Sequence, residues 1–190
     1  GAKRHRALAS WMLDIQTEVH GYTEIDPPLL VRGETMTGSG NLPKFKDNLY
    51  RDDDSDLWLV PTAEVALNGL HQGQIIDPDK LPLKYVAQTP SFRKEQTSAG
   101  RDVRGIKRVH QFEKVEMFRY VEPETSDEML EEMLGEAESL CARLGLTYRV
   151  LQLCAGDIGF QSAKTYDIEV WSPGCAEWLE VSSISTCTDF

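Results

Sequence analysis

No stretch of this 190-residue chain approaches the ~18 consecutive apolar residues that a membrane span needs, so no membrane partner is expected. The basic start, Gly1 to Arg6, leads into an amphipathic stretch rather than an apolar core, which does not read as a signal peptide. The four cysteines, Cys141, Cys154, Cys175 and Cys187, form no Cys-x-x-Cys pair, and zinc spacing is missing. Scattered singly, they read as free thiols of a reducing compartment, the cytoplasm. His5, His20, His71 and His110 give no His-Glu-x-x-His, which removes the common zinc-hydrolase pattern. There is no Gly-x-Gly-x-x-Gly and no Gly-Lys-Ser/Thr loop. Gly38-Ser39-Gly40 runs into Asn-Leu-Pro, which does not open a helix. Phosphate would therefore be held by arginines and metal rather than by a helix N-terminus. Repeats and low-complexity tracts are absent as well. Positive charge is scarce: 20 Lys and Arg face 31 Asp and Glu, for a net −11, against the basic balance of a protein that coats nucleic acid.

What is present is a globular composition, 41% hydrophobic and 27% charged, in a chain long enough to bury a core without disulfide or metal staples. The acidic excess is local. Residues 122–138 hold eight carboxylates and no Lys or Arg, which accounts for −8 of the −11. This reads as the solvated face of a helix. Residues 93–108 instead hold six cations against two carboxylates, a local +4 suited to a polyanion.

The pattern predicts a helix over 4–20 and short strands at 22–25 and 57–60. A long irregular loop is expected over 32–48, and a helix opens at Pro61 and runs through Leu70. Strands follow at 83–88, from Phe92 to Glu95, and at 107–121. Thr125 and Glu128 have capping-box spacing ahead of a helix that runs to about Leu144, where Gly145 stops it. Strands at 148–153, 165–171 and 178–183 complete an α+β fold with a mainly antiparallel sheet flanked by helices. No domain boundary is visible.

Four groups of residues carry chemistry. On the strand 107–121, Arg108, His110, Phe112, Lys114 and Glu116 share parity and should form one row. A cation, an aromatic face and a carboxylate on one pleated face suit a nucleotide: Arg108 for phosphate, Phe112 for stacking, Glu116 for an amino or hydroxyl group. An exposed hairpin laced with salt bridges would look the same. Arg93 and Glu95 should share a face on the opposing strand. The turn Ser98–Gly105, with Arg101 and Arg104, is cationic. Thr62-Ala63-Glu64 can grip an ammonium group, although taken alone Thr62 reads better as a helix N-cap. Glu180 and Ser182 should share a face, with Ser183 at the strand end, a set able to hold Mg²⁺ through a carboxylate and a hydroxyl.

In this order, these pieces closely resemble the catalytic domain of bacterial-type seryl-tRNA synthetases, a class II aminoacyl-tRNA synthetase family. The resemblance covers the whole chain. Residues 4–31, with Pro27-Pro28, are similar to motif 1, the dimerisation element. The segment Thr37–Phe45 is similar to the family's Gly-x-Gly-x-Leu-Pro-Lys-Phe loop. Thr62-Ala63-Glu64 matches its serine-binding tripeptide, and residues 90–121 resemble motif 2. Cys154–Phe160, Ala163–Trp171 and Glu180-Val181-Ser182-Ser183 continue the match. The chain departs from the family at Gln96-Thr97, at Ile184 and Thr186, and at Leu179 in place of a common Arg. Motif 3 and the N-terminal tRNA-binding arm are absent from these 190 residues, so the resemblance implies a partial catalytic domain with weak activity or none on its own.

The resemblance implies activation of L-serine by ATP to seryl-adenylate, then transfer to the 3′ end of tRNA(Ser), and also tRNA(Sec), by a cytoplasmic homodimer. Thr62, Ala63, Glu64, Arg93 and Glu116 would bind serine. ATP would meet Arg93, Lys94, Glu95, Arg108, Val109, His110, Gln111 and Phe112, together with Glu180, Val181, Ser182 and Ser183. Arg93 and Arg108 would be catalytic, and Glu180 and Ser183 would hold Mg²⁺. A paralogue that adenylates an amino acid for a non-tRNA acceptor, or a non-catalytic binding module, would share much of this pattern.

Overall fold

The computed structural model describes residues 1–95 and 107–189. The described residues form α1 (Ala2–Glu18), β1 (Thr23–Glu24), β2 (Leu30–Arg32), α2 (Gly33–Gly38), β3 (Leu57–Leu59), α3 (Ala63–Gly69), β4 (Leu83–Phe92), β5 (Gln111–Tyr120), α4 (Ser126–Arg143), β6 (Tyr148–Gln152), β7 (Lys164–Ser172) and β8 (Glu177–Thr186). The architecture is α+β, as expected. The chain gathers into two compact units, Gly1–Tyr120 and Val121 onward.

The first unit is organised by the β4–β5 hairpin, paired antiparallel from Leu83↔Tyr120 to Phe92↔Gln111. β1 joins β4 in parallel at Tyr85 and Val86. Opposed residues share a face, so Ala87, Thr89 and Ser91 lie with Glu116, Lys114 and Phe112. On that face α3 contributes Ala63 and Leu67, which are buried against Ala87 with Tyr85 and Phe118 alongside. The ribbon β2–β3 builds a second core: Val31, Met36, Leu49, Trp58, Val60, Val65 and Ala66.

Three expectations change here. The segment 32–48 is not a bare loop, because Gly33–Gly38 is helical. Met36 is fully buried in the core, Thr37 Oγ1 donates back to the Gly33 carbonyl (2.9 Å), and Gly33 N donates to Asp56 (3.1 Å). A buried anchor and local hydrogen bonds thus outweigh the Gly- and Ser-rich composition. Gly69, at the end of α3, permits the close approach of α2, since a Cβ there would lie 2.7 Å from the Thr35 methyl.

The strands expected at 83–88 and from Phe92 are one strand, β4, which ends at Phe92, so Arg93 and Glu95 are not on a strand. Pro90 is tolerated because β1 reaches only Tyr85 and Val86. Around Pro90, β4 therefore has β5 as its one sheet neighbour among the described residues. β5 starts at Gln111, not at 107, so Arg108 and His110 stand ahead of the strand rather than in its row.

In the second unit β6, β7 and β8 pair antiparallel, and α4 packs on β8. The capping box at Thr125 does not form. A 3-10 turn over Pro123–Thr125 leads directly into the helix, and Thr125 Oγ1 donates to the Glu122 carbonyl (3.1 Å). Gly145, at φ 65°, ends the helix region as expected. The acidic helix is solvated along most of its carboxylates, but Glu136 is buried beside Ala137. All four cysteines are free thiols. Among the described residues, no helix is long and apolar enough to cross a membrane.

Because Met36 is fully buried among core residues, Met36→Ala should destabilise the fold by about 2–5 kcal/mol, read as a lower denaturant midpoint at unchanged slope.

Candidate active site

The site grows from the N-terminus of α3. Thr62 has extended backbone angles, and its Oγ1 accepts from Glu64 N at 3.3 Å, so the N-cap reading is correct. The same hydroxyl also donates to Glu116 Oε2 at 2.6 Å and accepts from Lys114 Nζ at 2.6 Å. Lys114 and Glu116 are themselves an ion pair. The cap and the link to β5 are therefore one side chain. Ala63 is fully buried behind it.

Glu64 follows on the first turn of α3. Burial pushes its carboxyl up to about 7, and the neighbouring Glu116 charge adds to the rise, while Lys114 and Arg93 pull it back. The hydroxyl thus meets one carboxylate, Glu116, and caps the turn that carries the other, Glu64.

Arg93 follows directly after β4. Its Nε donates to the Pro61 carbonyl (3.3 Å), and its guanidinium lies 5.1 Å from the centre of the Phe112 ring. Its backbone N–H donates to His110 O (3.0 Å), Phe92 N–H to Val60 O (2.9 Å) and Lys94 N–H to Asn48 O (2.8 Å). These bonds lash the end of β4 and the segment after it to the segment before β5 and to the chain on both sides of β3. His110 Nδ1 and Tyr50 Oη are 2.5 Å apart. Arg108 and Glu95, expected separately as ATP contacts, are bonded to each other at 3.1 Å. Val109 is half-buried, while Lys94 and Gln111 are exposed. The cationic turn Ser98–Gly105 and the departures at Gln96 and Thr97 lie outside the described residues.

The row on β5 is Phe112, Lys114 and Glu116, with parity as expected. Sequence reasoning gave Lys114 no role. Its place two residues from Glu116, opposite a hydroxyl-bearing strand, was the available signal. Tyr50 and the Pro61 carbonyl were also missed, since neither belongs to a recognisable spacing.

In the second unit the predicted pairing of faces is corrected. β8 carries a bulge: Ile168 opposes Ser182 while Glu169 opposes Glu180, so Val181 is an extra residue. Ser182 therefore shares the face of buried Ile168. Glu180 shares its face with Ser183, whose register partner is Asp167. The bulge brings to one face the carboxylate and hydroxyl that simple alternation would separate. Among the described residues, no group of three or more His, Cys, Asp or Glu side chains could hold a metal. What β8 offers is a carboxylate–hydroxyl pair.

A cap bonded to one carboxylate and followed by a second, beside an arginine laid over an aromatic ring on an antiparallel floor, offers groups suited to an amino acid and a nucleotide. The chain belongs to the class II tRNA synthetase core-domain family (G, H, P, S and T), whose model matches residues 44–190. Within it, the chain is 58% identical over 189 residues to the serine–tRNA ligase of Thermomicrobium roseum, a match covering 100% of this chain and 42% of that protein. It superposes on seryl-tRNA synthetase from Pyrococcus horikoshii complexed with ATP with a TM-score of 0.92 at 47% identity, covering 96% of this chain and 41% of that one. For the cytoplasmic serine–tRNA ligase of Naegleria fowleri in complex with AMP the TM-score is 0.88 at 35% identity, covering 96% and 44%. The chain spans less than half the length of the curated relatives it matches.

The raised carboxyl of Glu64 sets a pH dependence. The folded chain holds this proton more tightly than the unfolded one, so ionising Glu64 costs stability as pH rises from about 4.5 to about 7. Glu64→Gln should therefore gain up to about 3 kcal/mol over the parent at about pH 8, relative to the same comparison at about pH 4. Denaturant midpoints at the two pH values measure this, and an equal difference at both would contradict the assignment.

Proposed function

We propose that this chain is the catalytic core of a serine–tRNA ligase. It activates L-serine with ATP and passes serine to the 3′ end of tRNA(Ser), and of tRNA(Sec) by the same chemistry. The supporting observation is the bonded set Thr62–Lys114–Glu116 facing Glu64, beside Arg93 over Phe112.

The substrate ammonium lies against Thr62 and Glu64, and the serine hydroxyl against Glu116. The ionised carboxylate attacks the ATP α-phosphate in line and expels pyrophosphate. Arg93, fixed by the Pro61 carbonyl, meets both the attacking oxygen and the phosphate, neutralising charge as it develops. Phe112 carries the adenine, with Glu95 and the Val109–Gln111 segment alongside. Arg108 clamps the outer phosphates once it exchanges Glu95 for them. No general base is needed, because the nucleophile is already ionised, and catalysis is placement plus charge compensation. Glu180 and Ser183, on one face of β8, fit a hard cation and would hold Mg²⁺, which screens phosphate charge when bound. tRNA approaches through the cationic residues 93–108.

α1 leaves Leu8 41% and Val19 57% exposed, and β2 leaves Leu30 49% exposed; a second copy packing here would form the homodimer. Free thiols fit a cytoplasmic setting.

The test is serine-dependent ATP–pyrophosphate exchange in the full-length protein, followed by transfer to tRNA. Exchange without transfer would point to another acceptor, and no exchange would overturn the reading. Glu116→Ala should lower serine-dependent exchange by about 100-fold or more, since it removes the partner of the serine hydroxyl, and leave ATP binding unchanged.

A further inference from the structure

The ε-ammonium of Lys114 takes up two contacts that the proposed reading gives to serine, Thr62 for its ammonium and Glu116 for its hydroxyl. It bonds Thr62 Oγ1 at 2.6 Å and pairs with Glu116. A primary ammonium of the substrate needs Thr62 Oγ1 as well, and two ammonium groups cannot share it at hydrogen-bond distance without strong repulsion. The floor of the pocket offers a second berth. Thr89 is the residue directly opposite Lys114 in the β4–β5 ladder, on the same face. Its side chain is 2% exposed, and its Oγ1 has no hydrogen-bond partner among the described residues. Ser91, opposite Phe112, is 0% exposed and its Oγ is likewise unpartnered. Buried hydroxyls without partners are uncommon in folded proteins, and here two stand side by side within reach of a long, flexible cation.

We propose that Lys114 is a built-in stand-in for the substrate ammonium. It fills the Thr62–Glu116 cradle when the site is empty, and withdraws toward the Thr89 hydroxyl when the substrate arrives. Lys114 is thereby a positioning residue that sets amino-acid affinity by competing with it. The inference rests on the assignment of Thr62, Glu64 and Glu116 to serine.

Two measurements test it, with serine binding to the full-length protein followed by calorimetry in parallel. In the wild-type protein, amine-selective labelling read by peptide mass spectrometry should show Lys114 becoming several-fold less reactive when L-serine is bound, because it withdraws toward a buried hydroxyl. Higher or unchanged reactivity with serine bound would overturn the inference and leave the serine site standing. Absence of serine binding would remove both. Thr89→Val, which replaces an unpartnered hydroxyl by a methyl and should fold normally, should weaken serine binding about three- to tenfold, the scale of one hydrogen bond. Lys114→Met should tighten serine binding and abolish the effect of Thr89→Val. Additive effects of the two substitutions would overturn the exchange of berths.

Discussion

The hydroxyl of Thr62 is the point on which the first unit turns. It caps α3, donates to Glu116 on β5 and accepts from Lys114 on the same strand. A helix start and the middle of a sheet are thus fixed to one atom. Everything else that matters for an amino-acid site is referred to it. Glu64 is placed by the turn that Thr62 caps. Arg93 is held by the carbonyl of Pro61, the residue before it, and Phe112 lies on the same row as Lys114. Because the atom caps a helix and also meets Glu116 and Lys114, the cap reading does not exclude a role in binding.

Parity on β5 was legible because alternation in a regular strand is a property of the backbone, and Phe112, Lys114 and Glu116 obey it. It failed at Arg108 and His110, because a strand ends where its ladder ends, and the ladder stops at Phe92↔Gln111. It failed again at Glu180, because a bulge leaves no local signature: Val181 is an unremarkable strand residue whose extra place is decided by β7 across from it. The helix at Gly33–Gly38 was hidden for a related reason. Its stability comes from Met36 in the core and Asp56 at its start, contacts that composition does not record. The carboxylate–hydroxyl–arginine set was found by residue type and order. Lys114 was overlooked because a lysine between two acidic or aromatic neighbours reads as surface charge until its partner is seen.

The charge distribution also gains meaning. Most of the acidic excess sits on and just ahead of α4, in the second unit, whereas the cations of residues 93–108 belong to the first. A net charge does not describe the field at one contact, because screening limits the reach of each charge to about 8–10 Å. The net figure of −11 is therefore a poor guide to partners.

The irregularity in β8 makes ladder register, rather than side-chain identity, the constrained quantity at its centre. Val181 is 54% exposed and opposes no residue of β7, so many side chains should fit there. Counting Val181 into the ladder would carry Glu180 to the face now occupied by Ser182, whereas leaving it out keeps Glu180 and Ser183 on one face. A frame of one residue, contributing no chemistry of its own, decides whether carboxylate and hydroxyl look the same way.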